Sequence, residues 1–166
     1  MKKNLAVVSG LAVLMLGAGV ASAGGSKGSL GVGGELQLNG ELGGLSANYD
    51  MGEFHVGGFL GFSDEGGEDD TDIALGARFY YHVHSSAMAD FGVGGGFGVG
   101  FIGDRAAGDN NQTLVYIEPG LQIRAFVASN VALSFTGGLT LGTADAEGVA
   151  ITALPSAIAG VHYYFV

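Results

Sequence analysis

The sequence predicts an all-β protein, folded as an eight-stranded antiparallel up-and-down barrel, and three observations carry this prediction. Apolar residues recur at every second position along most of the chain after residue 23, which is the side-chain period of a strand. No stretch there keeps an apolar period of 3.6 residues over three turns. Short and long links alternate between these runs, as in a meander of hairpins.

The first 23 residues do not share this pattern. Lys2 and Lys3 precede an apolar run at residues 5–20, and residues 21–23 (ASA) provide the small side chains of a cleavage site. The run is shorter than the roughly 20 residues of a membrane-spanning helix. We therefore expect a cleaved signal peptide at 1–23 rather than a retained anchor, and one domain at 24–166.

Eight alternating runs of strand length follow. Their links also alternate in character: short turns follow the second, fourth and sixth runs, whereas polar links at 64–71, 103–112 and 143–150 follow the third, fifth and seventh. Both ends of the barrel domain therefore fall on the side of the short links. The predicted strands span residues 30–38, 44–51, 54–63, 72–84, 89–102, 113–127, 131–142 and 151–166.

Two prolines, Pro119 and Pro155, lie inside predicted strands. A prolyl nitrogen carries no hydrogen and cannot donate to the ladder. We expect a bulge or lost pairing at these positions.

The two faces of the predicted strands differ in chemistry. In the fourth run Ile73, Phe79 and Val83 share an apolar face, whereas Arg78 and His82 lie on the other. Over all runs this second face is mostly Gly, Ser, Thr and Ala, with scattered ionic groups and no lysine. Only 13% of the chain is charged, against roughly 25–35% for a small soluble surface. This favours a transmembrane barrel with its apolar face against lipid; a secreted soluble barrel or sandwich is the alternative.

Composition excludes several classes of site. The chain has no cysteine, so it can form neither disulfides nor thiolate metal sites. Beyond residue 23, the 16 acidic residues face only Lys27, Arg78, Arg105 and Arg124, a balance that argues against nucleic acid as a partner. The glycine stripe from Gly92 to Gly100 precedes no helix and is not a phosphate-binding loop. We expect no cofactor.

The last run places Val161, Tyr163 and Phe165 at alternate positions at the end of the chain. This ending resembles the C-terminal strand signal of bacterial outer-membrane β-barrel proteins, except that Val166 follows the aromatic residue. Together with the signal peptide and the eight runs, it makes the chain similar to the small outer-membrane β-barrel domain family of the OmpA/OmpX type.

The resemblance implies a monomeric, integral protein of the bacterial outer membrane, in contact with its lipid and lipopolysaccharide. Periplasmic chaperones and the barrel assembly machinery would deliver it, with Val161, Tyr163 and Phe165 as the assembly signal. Its implied role is structural or surface-interactive, through acidic extracellular loops. A small channel or transporter for small or apolar solutes is the alternative, which planar-bilayer conductance would distinguish.

Ionic and polar side chains on the enclosed face are the candidate site. Buried charges need partners, so we expect Glu35 or Glu118 to meet Arg78. Arg124 should pair with a carboxylate nearer the short links, where Asp50, His55 and Asp90 lie. A proton or ion path along the same groups is the alternative to a packed plug. The predicted lumen network comprises Glu35, Arg78, His82, Glu118, Gln122, Arg124 and His162.

The link after the third run is strongly acidic. Its carboxylates could bind calcium, or cations that bridge it to lipopolysaccharide phosphates, but their order does not match an EF-hand loop. We therefore expect a solvated surface loop and no metal site. The acidic residues are Asp64, Glu65, Glu68, Asp69, Asp70 and Asp72.

A histidine and a serine in the short link after the fourth run bear on enzymatic activity. His84 and Ser86 form an H-x-S pair similar to that of outer-membrane lipid A deacylases, which are also small eight-stranded barrels. The pair falls on the side of the short links, whereas the substrate of that family lies in the outer leaflet. We expect no enzymatic activity.

Overall fold

A computed structural model describes residues 26–38, 43–64, 71–103, 112–144 and 152–165. These residues form eight strands, each within two residues of its predicted bounds. Among the described residues, no helix is long and apolar enough to cross a membrane. The strands are β1 (Leu30–Gln37), β2 (Gly43–Asp50), β3 (Phe54–Asp64), β4 (Thr71–Ser85), β5 (Ala89–Ile102), β6 (Gln112–Ala128), β7 (Val131–Ala144) and β8 (Thr152–Phe165).

The strands form one closed antiparallel barrel in sequence order. Each strand pairs with its neighbours in the sequence, and β1 pairs with β8 from Leu30 opposite Phe165 to Gln37 opposite Ile158. Closure joins the first strand to the last and so removes the unpaired edges of an open sheet. The predicted fold class is confirmed.

The apolar face of the wall points outward. Phe79, Phe97 and Ile123 are 45%, 53% and 49% exposed, whereas Arg124 and Asp50 on the opposite face are 1% and 0% exposed. This arrangement inverts that of a soluble protein, in which charged side chains are almost never fully buried without partners. It is the orientation that the sequence pattern favours.

A β-bulge changes the face of one residue named in the sequence analysis. Strict alternation assigns His84 to the same face as His82. The ladder between β4 and β5 shifts register between these two residues, so that His84 pairs with Phe91 of the outward face. A one-residue shift reverses side-chain orientation, and His84 is exposed.

The β6–β7 ladder is interrupted at Pro119. Paired positions reach Ile117 opposite Leu141 and resume at Gly120 opposite Gly138. On its other side Pro119 remains opposite Gly95 of β5. The interruption matches the lost pairing expected from a nitrogen without a hydrogen. At Pro155 the expectation is wrong on the β7 side, where Pro155 pairs with Leu139 and the ladder is continuous.

Candidate functional site in the barrel lumen

Buried polar side chains occupy the inside of the barrel. We divide those that carry the ionic contacts into two groups, each defined by its residues. The basal cluster comprises Asp50, His55, His82, Asp90, Arg124 and Tyr164, and the central cluster comprises Glu35, Ser46, Arg78, Glu118 and His162.

The basal cluster lies at the short-link end of the barrel because of where the strands start and stop. Asp50 is the last residue of β2, Asp90 is the second residue of β5, and Arg124 precedes the end of β6 by four residues. Alternation turns all three side chains into the lumen. The neighbouring strands β5 and β6 and the distant strand β2 thus bring their ionic groups to one point.

Arg124 is the centre of the basal cluster. Its Nη2 donates to Asp50 Oδ2 and to Asp90 Oδ2, at 2.7 Å in each case, and lies 3.0 Å from His82 Nε2. Its Nη1 donates to the Tyr164 hydroxyl at 3.1 Å. The guanidinium therefore connects β6 to β2, β4, β5 and β8 across the lumen, and its buried charge has two carboxylate partners.

The contacts of His82 define its tautomer. Its Nδ1 lies 2.8 Å from the carbonyl oxygen of Gly52, which only accepts, so Nδ1 carries the hydrogen. In the neutral ring Nε2 is then an acceptor, facing Arg124 and also His55 Nδ1 at 2.8 Å. Asp50 Oδ1 accepts from the N–H of Gly52 at 2.8 Å, and Gly52 has φ 95°, a conformation that favours glycine. The β2–β3 turn thus orients two members of the cluster.

The central cluster is built around Arg78. Its guanidinium pairs with Glu35 and lies over the Phe59 ring, 4.3 Å from the centroid. His162 Nε2 lies 2.6 Å from Ser46 Oγ and 3.6 Å from Glu35 Oε1. Glu118 is 4% exposed, and its Oε1 has no hydrogen-bond partner. Of the two carboxylates expected from the sequence to meet Arg78, Glu35 makes the direct contact.

The predicted lumen residues therefore separate into the two clusters, with one exception. Arg124 and His82 are basal, and Glu35, Arg78, Glu118 and His162 are central. The exception is Gln122, whose Nε2 donates to Thr136 Oγ1 at 3.0 Å between β6 and β7.

Sequence reasoning placed Asp50, His55 and Asp90 near Arg124 but did not name Ser46 or Tyr164. Alternation places both of these residues on the enclosed face, Ser46 in β2 and Tyr164 in β8. Alternation was therefore the signal that could have found these two, although a serine or tyrosine on the enclosed face carries no charge that demands a partner.

The serine and histidine contacts do not form a Ser–His–acid triad. In a triad the acid holds the ring nitrogen opposite the one that faces the serine. Here both Ser46 and Glu35 face Nε2 of His162, and Nδ1 has no hydrogen-bond partner. The Ser86 hydroxyl accepts from the N–H of Ala89 at 3.0 Å and donates to its carbonyl at 3.1 Å, so it holds the β4–β5 turn.

Among the residues that the structure describes, one group of side chains has the composition of a metal site. Asp50, His82 and Asp90 each offer a ligand atom, and these atoms lie within 4.8 Å of one another. In the acidic link, residues 65–70 lie outside the described residues. Asp72 Oδ1 accepts from the N–H of Gly103 at 3.1 Å.

The three residues of the predicted C-terminal signal lie on the outward face of β8. Tyr163 and Phe165 are in ring contact, with centroids 4.9 Å apart, and Phe165 is 56% exposed. Val161 follows the same alternation and pairs with Leu133 of β7 and Gly34 of β1.

Comparison with known proteins identifies the fold. The sequence matches no protein-family model and no curated protein. The N-terminal β-barrel domain of Pseudomonas aeruginosa OprF is similar in structure, with a TM-score of 0.65 and 13% identity over 84% of this chain and 98% of that chain. The Yersinia pestis outer membrane protein Ail, solved in a phospholipid bilayer nanodisc, gives a TM-score of 0.46 and 12% identity over 82% and 97% of the two chains. This chain has the fold of a small closed β-barrel domain, as seen in OprF.

Proposed function

We propose that the chain is an integral outer-membrane β-barrel protein with a sealed lumen and a structural or surface-interaction role. The observation that carries the proposal is the orientation of the barrel wall, with its apolar face outward and its charged residues inside. Large apolar side chains such as Phe97 and Leu75 stand exposed on its outside, while Arg124 and Asp50 are buried inside. Contact of this apolar outer face with water would cost free energy, whereas contact with lipid hydrocarbon would not.

The height of the apolar face supports a membrane location. On β4 the outward apolar side chains extend from Ile73 to Val83. At about 3.3 Å per residue and a strand tilt of about 40°, this stretch is about 25 Å tall, which is the height of the apolar band in outer-membrane barrels.

The outward tyrosines support the same orientation. Tyr49, Tyr81 and Tyr163 are on the outer face and near the short-link ends of β2, β4 and β8. Tyrosine is enriched where the headgroups meet water, because its ring is apolar and its hydroxyl polar. We infer that the short-link end lies at one membrane interface, and that the longer links and their acidic residues lie at the other.

Burial inside the barrel favours a sealed lumen over a channel. Arg124, His55 and His162 are each 1% exposed, and these groups belong to β6, β3 and β8. A water-filled pore would leave such side chains exposed. The long links would then carry any contact with lipopolysaccharide or another surface partner, and the outward C-terminal residues would serve assembly.

Migration on a gel tests the proposal. The full chain should fractionate with the outer membrane, require detergent for extraction, and change its apparent mass when boiled, because a closed barrel resists detergent until it is heated. Soluble recovery from the periplasm or medium without detergent would contradict it and favour the secreted β-protein. A variant truncated after His162 provides the control, since it lacks the β8 residues that pair with the start of β1.

A further inference from the structure

We propose that Asp50, His82 and Asp90 of the basal cluster form a divalent-metal ligand set, and that the side chain of Arg124 takes the position of the cation. The donors are Asp50 Oδ2, Asp90 Oδ2 and His82 Nε2. Arg124 Nη2 contacts all three, at 2.7, 2.7 and 3.0 Å. One nitrogen of the protein therefore stands where a bound ion would stand.

Hydrogen bonds to the backbone of Gly52 already orient two of the donors as in a metal site. In metal-binding histidines the N–H of the second ring nitrogen donates a hydrogen bond to a carbonyl or carboxylate, and this contact fixes the ring. His82 Nδ1 has this contact with the Gly52 carbonyl at 2.8 Å, which leaves Nε2 as the ligand atom. Asp50 Oδ1 is likewise held by the N–H of Gly52, which leaves Oδ2 free to face the cation. These restraints come from the β2–β3 turn and not from Arg124.

The donor chemistry selects the class of metal. Two carboxylates and an imidazole suit zinc and related transition metals, whereas calcium prefers six to eight oxygen ligands. Zinc bonds of about 2.0–2.2 Å would draw each donor inward by about 0.5–1 Å from its present distance to Nη2. His55 Nδ1, 2.8 Å from His82 Nε2, stands next to the set and could become a fourth ligand.

Charge explains what Arg124 does in this site. Two buried carboxylates require positive charge nearby, and a guanidinium supplies it on a tether that cannot dissociate. The short-link end of the barrel therefore needs no metal to fold as long as Arg124 is present. Removing its side chain should leave a buried, anionic ligand set that a divalent cation can occupy.

The test compares Arg124→Ala with the wild type, both without affinity tags because a histidine tag binds zinc. Each is refolded from urea into detergent with EDTA or with ZnCl2, and folding is read from migration without boiling. We expect wild-type folding to be the same under both conditions, and folding of R124A to improve with zinc. Binding of Co²⁺ to refolded R124A should give visible absorption bands that the wild type lacks.

Matched variants assign the effect to this site. Arg78→Ala removes the other lumen arginine and keeps the same acidic links, and it should show no zinc dependence. Asp90→Asn in the R124A background removes one ligand and should weaken zinc binding by at least about tenfold.

Equal folding of R124A with EDTA and with zinc, together with no Co²⁺ bands, would overturn the proposal. If R124A folds under neither condition, Arg124→His decides, because it adds an imidazole at the same position. Zinc-dependent folding of R124H would support the proposal, whereas its failure to fold in zinc would refute it.

Discussion

The two lumen arginines are neutralised in different ways. Arg124 has two carboxylate partners and a tyrosine hydroxyl, whereas Arg78 has one carboxylate and the face of Phe59. Removing one partner of a buried ion pair leaves the other charge uncompensated in a medium of low dielectric constant. Arg78 should therefore be the more sensitive of the two to loss of a single acid.

Glu35→Gln is the direct test of this dependence. The amide keeps the size of the side chain but removes the charge opposite Arg78. We expect the free energy of unfolding to fall by about 3 kcal/mol or more. Reversible urea unfolding of the barrel in lipid vesicles provides the measurement.

Glu118→Gln is the matched control at the same cluster. Its Oε1 makes no hydrogen bond although the side chain is buried, so loss of its charge should lower the free energy of unfolding by less than Glu35→Gln does. Equal losses in the two variants would mean that Arg78 is shared between the two acids.

At the scale of strands, the period-two pattern was sufficient to find all eight elements and the face that each turns outward. Residues such as Phe97 and Ile123 follow it because every strand has one face toward the lumen and one away from it. The pattern could not give the bulge that turns His84 outward, since a bulge leaves no mark on composition. Nor could it choose Glu35 over Glu118 for Arg78, because reach across the lumen depends on strand stagger.

The room around two glycines of β5 gives a prediction about strand packing. Gly94 and Gly100 both face the lumen, but a Cβ on Gly94 would overlap the carbonyl oxygen of Phe79, whereas one on Gly100 would meet only Leu114 Cβ at 3.8 Å. Gly94→Ala should lower the free energy of unfolding by about 1–3 kcal/mol, the usual effect of overpacking.

Gly100→Ala is the paired substitution on the same strand and face, and it should be tolerated. Unfolding in urea measures both variants. If Gly94→Ala proved as stable as Gly100→Ala, the close approach of β5 to β4 at Phe79 would not be a feature of the folded barrel.

For the whole molecule, the outer face and the lumen exchange the roles that surface and core have in a soluble protein. The lumen holds buried acids, bases and hydroxyls, and the outside holds the hydrophobic area. The sequence indicated this inversion through the scarcity of charge, because so few ionic side chains cannot both fill a lumen and cover a soluble surface. If the inversion reflects a membrane, the effect of a charge on the outer face must depend on depth.

Phe97→Arg and Val83→Arg compare two outer-face positions that are equally exposed but lie at different depths along the barrel wall. The two native side chains are 53% and 52% exposed, but Phe97 lies well inside β5, whereas Val83 lies near the short-link end of β4. In lipid, arginine should destabilise the barrel by about 2–4 kcal/mol at the depth of Phe97 and by about 0–1 kcal/mol near the interface at Val83. In water, arginine at either exposed position would have similar and small effects. Unfolding in vesicles measures the difference, and equal stability of the two variants would place the apolar wall in water.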